Sequence, residues 1–425
     1  MLYYARGSKE DCIQPQEARN ALYGVFDRLG KKRRVLALPP DITRLNSYAG
    51  ELTEMAWQYY GSALTDIMPA LGTHSPMTES QIRTMFHKTP AGLFRVHDWR
   101  NDVVTVGEVP ASYLEEVSEG RIHEPWPAQV NKLLLDPSFD LILSLGQVVP
   151  HEVIGMANHA KNLFVGVGGS EGINLSHFLG ATYGMERIMG RAVTPVRKVL
   201  EYARRQFLSD RPILFILTVL AKNVKGEMEL KGLFIGDDFE CFAKAAALSL
   251  EVNFIMVDHP IRKCVVYLDP EEFKSTWLGN KAVYRTRMAL ADEAELIILA
   301  PGLKEFGEDA QIDALIRKYG YRGTPHTLEA TRANEDLKEN LGAAAHLIHG
   351  SSEGRFSITY CPGKGMSRQE IESVGFGYGD LSETMEKYDV RNLKDGWNRL
   401  AGKEEIYYIS NPALGLWAHE DRFKD

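Results

Sequence analysis

Leu141-Ile142-Leu143-Ser144-Leu145-Gly146-Gln147-Val148-Val149-Pro150-His151-Glu152 is the stretch on which the reading of the fold turns. An apolar run of strand length ends at a glycine, and a polar loop follows at once, as in a buried strand bounded by turn signals. The same grammar recurs upstream. Val35-Leu36-Ala37-Leu38 stops at Pro39-Pro40, which remove backbone donors, and Asp41 opens a loop. Thr65-Asp66-Ile67-Met68-Pro69-Ala70-Leu71 leads into Gly72-Thr73-His74, after which Ser75-Pro76-Met77-Thr78-Glu79 reads as a helix N-cap with proline in the first turn.

Further along, Leu163-Phe164-Val165 and residues 213–220 read as strands, and the charge content of residues 185–207 suits an exposed helix. Glu295-Leu296-Ile297-Ile298-Leu299-Ala300-Pro301-Gly302 is a strand and turn, followed by a helix over residues 309–319 and glycine-rich turns at 375–379. An aromatic tail with Tyr407, Tyr408 and Trp417 is expected to pack back on the first domain. Buried strands alternating with amphipathic segments define an α/β fold with mostly parallel sheets. Turn residues thicken from Asp258-His259-Pro260 to Leu268-Asp269-Pro270, which places a boundary between domains 1–262 and 263–425, with the active site expected in the cleft between them.

With 425 residues, 44% hydrophobic and 25% charged, the composition is that of a globular chain and excludes disorder as its main state. Lys+Arg 49 against Asp+Glu 57 leaves a net charge of −8, so no general positive field exists to hold nucleic acid. Cys12, Cys241, Cys264 and Cys361 form no C-x-x-C pair, which argues against a disulfide framework or a thiolate zinc site and for a reducing, cytoplasmic setting. Arg6 near the start, with no long apolar stretch behind it, leads us to expect no signal peptide. The apolar run at 213–220 is far short of a bilayer span, so no membrane partner is expected.

Open parallel sheets place ligands beyond the carboxyl ends of their strands. Three expected strand ends deliver Asp41-Ile42-Thr43-Arg44, Gly72-Thr73-His74 and Pro150-His151-Glu152. Two histidines there can act as base and acid, since imidazole titrates near neutral pH, while Arg44 can clamp a carboxylate in fork geometry. Taken singly, each has a structural reading: His74 capping a helix, His151 bonding a loop carbonyl, Arg44 pairing with Asp41. Their convergence favours function.

The segment from Gly155 to Gly169 is rich in glycine, but Glu171 stands where a dinucleotide fingerprint needs its third glycine, and no Gly-Lys-Ser/Thr ending is present. Within it, Lys161 is either an exposed lysine or a desolvated amine able to hold a cofactor covalently. His151, His159 and His177 can offer imidazole to nickel or zinc, although none shows the H-E-x-x-H spacing of a zinc site. Farther on, Trp277 and Lys281 stand four apart, a surface pair by default, or else a ring cover and an anion-binding group at a cleft.

Together, Asp41-x-Thr43-Arg44, Gly72-Thr73-His74, Pro150-His151, Lys161 and His177 resemble the lactate racemase family, with positions 151, 161 and 177 standing ten and sixteen apart as in that family. The resemblance runs along most of the chain. It implies a racemase or epimerase of 2-hydroxy acids carrying a nickel-pincer nucleotide, supplied by cofactor-biosynthesis proteins and tethered through a thioamide at Lys161, with His177 as the protein ligand of nickel. It further implies His74 and His151 as acid/base groups on opposite faces of the substrate, Arg44 and Lys281 on its carboxylate, and Asp41, Thr43 and Trp277 on the cofactor. Two departures stand out. Trp277 falls where the family usually has tyrosine, and Ala157-Asn158-His159-Ala160 replaces the usual small residues before Lys161. Asn158 and His159 are therefore expected to polarise or enlarge the pocket toward a larger 2-hydroxy acid such as a sugar acid. The alternatives are a dehydrogenase-like or lyase-like enzyme using the same histidines, and a non-catalytic binder of nickel or a carboxylate.

Overall fold

Six strands build the sheet of the first unit: β1 (Leu2–Gly7), β2 (Val35–Leu38), β3 (Leu64–Ile67), β4 (Leu141–Gln147), β5 (Ile213–Lys222) and β6 (Met228–Gly236). The computed structural model describes residues 1–223 and 226–424. Strand order is β1-β6-β5-β4-β2-β3, parallel from β5 to β3, with β6 antiparallel to both β5 and β1. β2 and β4 are buried along nearly their whole length, as parallel strands covered on both faces must be. On one face, Val35, Ala37, Leu143, Leu145, Leu214 and Ile216 pack against Leu22, Phe26 and Leu52 from the helices α1 (Pro15–Leu29) and α2 (Ala49–Tyr60).

From β2 the chain leaves toward β3, and from β4 it leaves toward β5 on the other side. The carboxyl ends of β2 and β4 therefore flank a topological switch point, where open α/β sheets form a crevice.

Three local expectations need correction. The helix after His74 runs Glu79–Phe86 and is capped by Thr78, not Ser75: the Thr78 hydroxyl accepts from the Gln81 N–H at 3.3 Å, and the Gln81 side chain accepts from the Thr78 N–H at 2.9 Å. This reciprocal box is worth more than a proline three residues earlier. Leu163-Phe164-Val165 is not a strand but part of a buried π-helical turn, Asn162–Gly166, closed by the Val167 N–H on the Asn162 carbonyl at 3.1 Å. Three apolar residues carry no period, so burial alone cannot distinguish strand from helix. Within residues 185–207, α4 (Pro195–Phe207) is helical but not an exposed element: Arg197 and Glu201 lie on its buried face.

In the second unit, β7 (Ile261–Tyr267), β8 (Leu290–Ala300), β9 (Phe356–Pro362), β10 (Gly377–Tyr378), β11 (Gly396–Arg399) and β12 (Glu405–Ile409) form a sheet in the order β10-β9-β8-β7-β12-β11. All its pairs are parallel except β11 with β12. Asp309 caps the helix Ala310–Tyr319, accepting from the Ile312 N–H. Tyr407 and Tyr408 sit within β12, and Trp417 pairs with Ile255. The chain divides into Met1–Tyr183 with Arg187–Asn253, and Gly184–Glu186 with everything from Phe254 onward. No helix among the described residues is long and apolar enough to cross a membrane. The four cysteines are free thiols.

Candidate functional site

A cavity of about 250 Å³ opens at the switch point of the first unit. It is lined by Asp41, Thr43 and Arg44 after β2, by Gly72, Thr73 and His74 after β3, and by Gln147 and His151 after β4. Asn158, Lys161 and His177 complete it. Seven expected site residues thus meet, all within one unit. Trp277 and Lys281 belong to the second unit and are not among the lining residues: Trp277 lies against His346, ring centroids 4.3 Å apart, and Lys281 Nζ lies 5.6 Å from the Phe273 ring centre.

Asp41 is buried, and both of its oxygens are engaged. Oδ1 accepts from the Thr43 N–H at 3.2 Å and from the Thr43 hydroxyl, while Oδ2 accepts from His74 Nδ1–H at 2.7 Å. Burial opposes the charge of Asp41, but these bonds and the neighbouring imidazole outweigh it and hold the carboxyl below its usual range. The bond fixes the His74 tautomer, leaving Nε2 with its lone pair. The side chain of His74 is 60% exposed, so that nitrogen remains accessible.

His151 lies in a two-residue hairpin pairing with Gly155. Its Nδ1 accepts from the Val153 N–H at 3.1 Å, which puts the neutral ring's proton on Nε2. Burial, then the positive charges of Lys161 and Arg44, push its pKa down to about 3, with Glu152 opposing.

Lys161 stands at the amino end of the π-helical turn. Burial, reinforced by the Arg44 charge, lowers its pKa to about 8, so more of it is free amine near neutral pH than of an ordinary lysine. Asn162 anchors the turn by donating to the Leu38 carbonyl at the end of β2 and to the Ser144 hydroxyl in the middle of β4, both at 3.0 Å. Sequence reading passed over this anchor, yet Ser144 was its signal, a lone hydroxyl within an apolar strand. His177, on helix α3 (Ser170–Tyr183), donates Nδ1–H to the Ile173 carbonyl at 2.7 Å. Its Nε2 is thereby left as a lone-pair donor, the state of an imidazole metal ligand held by a backbone acceptor. Burial lowers its pKa and favours that neutral form.

Among the described residues, no group of three or more His, Cys, Asp and Glu side chains is placed to hold a metal ion. A metal whose remaining ligands come from a tethered cofactor needs only the imidazole of His177 beside Lys161, and the donor set fits such a group.

One expectation fails here. Asn158 lines the cavity, but His159 points away: it is fully buried, donates Nδ1–H to Glu201 at 2.7 Å and stacks on Phe215 with ring centroids 3.9 Å apart. An imidazole that finds both a carboxylate and an aromatic face behind the loop has no reason to turn toward a wet cavity.

The buried histidines make stability pH-dependent. His346, whose Nε2 is bonded by the Tyr321 hydroxyl at 3.0 Å, is pushed down to about 3 by burial, as His151 is. Both titrate near 6.5 when unfolded, so between pH 6.5 and 3 the unfolded chain binds more protons and stability falls as pH falls. Glu201, held at about 2 against its burial by His159 and Arg204, adds a loss of the same sign below its unfolded value near 4.5. Urea unfolding at pH 7 and pH 5 is expected to show a drop of up to about 2 kcal/mol per buried histidine. His346→Gln is expected to remove its share, and an unchanged drop would contradict the assignment.

Two histidines, an arginine, a lysine and a further imidazole thus gather at a switch point, where open α/β sheets form their ligand crevices. Residues 26–188 match the lactate racemase N-terminal domain. A crystal structure of a Thermotoga maritima protein is similar over 97% of this chain and 100% of that one, with a TM-score of 0.76 and 22% identity. The lactate racemase apoprotein from Thermoanaerobacterium thermosaccharolyticum is similar over 97% of this chain and 89% of that one, with a TM-score of 0.66 and 14% identity. At such identities these likenesses are of fold. No curated protein sequence matches the chain.

Proposed function

We propose that this protein is a 2-hydroxy-acid racemase or epimerase working with a nickel-pincer nucleotide. The observation that carries the reading is the meeting of Lys161, His177, His74, His151 and Arg44 around one cavity. Lys161 would hold the cofactor covalently, and His177 Nε2 would hold its nickel. When bound, the cofactor supplies a site that accepts hydride from the substrate C2 and returns it.

The chain's own residues do the rest. Arg44 pairs with the substrate carboxylate, and in the resting state His74 Nε2 is set to accept the hydroxyl proton. His151 Nε2–H is set to donate to the substrate oxygen. Two such groups let the oxygen lose its proton in one orientation and regain one in the other. Both carboxylate oxygens of Asp41 are engaged by Thr43 and His74, which supports a role in orienting His74 in preference to holding the nucleotide.

The polar lining supports a substrate with hydroxyls beyond C2. Gln147, Thr73 and Asn158 edge the cavity, and a site offering such groups favours a ligand that satisfies them, such as a sugar acid. The protein, purified after co-expression with cofactor-biosynthesis proteins, is to be assayed for nickel, for added mass at Lys161, and for inversion of chiral acids from lactate to aldonates. We expect one nickel, an adduct at Lys161, and faster inversion of the polyhydroxylated acids. Absence of both adduct and inversion overturns the function, and a preference for lactate overturns the substrate class.

A further inference from the structure

One face of α4 grips the loop that carries the site. Thr194, which caps the helix, donates its hydroxyl to the Ile154 carbonyl at 2.9 Å. Arg197 donates to the Met156 carbonyl at 2.6 Å and to the Asn158 carbonyl at 3.0 Å. Glu201 then accepts from His159. Positions 194, 197 and 201 recur at helical spacing, and they meet alternate residues of the loop before reaching the side chain of 159. The loop runs from the His151 hairpin to Lys161, so the grip lies between two residues of the proposed chemistry.

The clamp is buried and closely fitted. Arg197 is 1% exposed, its guanidinium carbon 4.2 Å from the Phe242 ring centre, and Glu201 also accepts from Arg204 Nε at 3.0 Å. Gly155 adopts φ +91°, and a Cβ there would come within 2.2 Å of the Arg191 carbonyl oxygen. Asn158 and His159 both have positive φ, 69° and 59°, a conformation that costs free energy in non-glycine residues and persists only where surroundings enforce it. His159 supplies that enforcement through Nδ1–H on Glu201, with Nε2 lying 3.1 Å from the Asp238 carbonyl oxygen.

We infer that His159, through its bond to Glu201 and the grip of Arg197 on the same loop, is a positioning residue that aims Lys161 into the cavity. The charged and titratable groups facing Lys161 there are Arg44 and Asp41 after β2, His151 and Glu152 from the hairpin segment, His177 from α3 and Arg197 from α4. Release of the loop lets the amine leave this setting, and its access to a reagent changes with its place.

The inference rests on the proposed role of Lys161, but its test needs no cofactor. The cofactor-free chain is acetylated at pH 8 with an N-hydroxysuccinimide ester, and the rate at Lys161 is read by peptide mass spectrometry against exposed Lys88, with circular dichroism confirming the fold. His159→Asn tolerates positive φ and keeps a donor near Nδ1, whereas His159→Phe keeps only the ring stacking. A relative rate changed about tenfold in His159→Phe and restored to within about threefold of wild type in His159→Asn supports positioning. Equal rates in all three chains, or a rate changed as far in His159→Asn as in His159→Phe, overturns it. Should His159→Phe not fold, Arg197→Lys serves, because one ammonium cannot span two carbonyls as a guanidinium does. A rate changed about tenfold there supports the inference, and an unchanged rate overturns it. Normal acetylation behaviour in a chain that never takes up cofactor would remove the proposed function and leave the positioning intact.

Discussion

Replacing Lys161 by alanine is expected to leave a folded chain with neither added mass nor stereoinversion, activity falling by more than about 10³-fold, the scale set by loss of a covalent catalytic group. Lys161→Arg is expected to be equally inactive. Arginine preserves the charge beside Arg44 but cannot lose a proton near neutral pH, so it offers no nucleophilic nitrogen. The wild-type amine can, because burial and the Arg44 charge lower its pKa to about 8. Intact mass and chiral chromatography after co-expression with the cofactor pathway read both effects. An arginine variant that retains adduct or activity would show that Lys161 serves only as a charge.

His74→Ala and His151→Ala are each expected to lower kcat/KM by about 10²–10⁴-fold, the usual worth of a positioned acid/base group, while leaving the mass at Lys161 in place. That separation distinguishes proton transfer from cofactor capture. Asp41→Asn is expected to act through His74, since an amide cannot hold the imidazole tautomer that the carboxylate holds at 2.7 Å. Its loss should therefore not add to that of His74→Ala in the double variant. Full additivity, or loss of the adduct in either histidine variant, would contradict the assigned roles.

Asp41, Thr43, Arg44, His74 and His151 are legible in the sequence for one physical reason. Each comes after a short apolar run closed by proline or glycine, and parallel strands deliver the residues beyond their carboxyl ends to one edge of the sheet. Their meeting is thus a consequence of strand direction. His159 is misread because its residue type argues for a polar pocket, while the groups that claim it, Glu201 and Phe215, lie over forty residues away in sequence. The turn at Asn162–Gly166 is misread for a related reason: its conformation depends on the reach of Asn162 to two neighbouring strands, at Leu38 and Ser144, which no local period records.

Strand-length apolar runs, their proline and glycine stops and their spacing by amphipathic segments determine an α/β chain with mostly parallel sheets, because burial on both faces demands such runs wherever they pair. The same pattern determines which polar residues reach the sheet edge. Which of those side chains then share a proton, which imidazole nitrogen keeps its lone pair, and which charges are buried behind the loop are decided only by tertiary structure. These depend on distances of about 3 Å between residues far apart in the chain, and hydrogen bonding is lost within a fraction of an ångström beyond that.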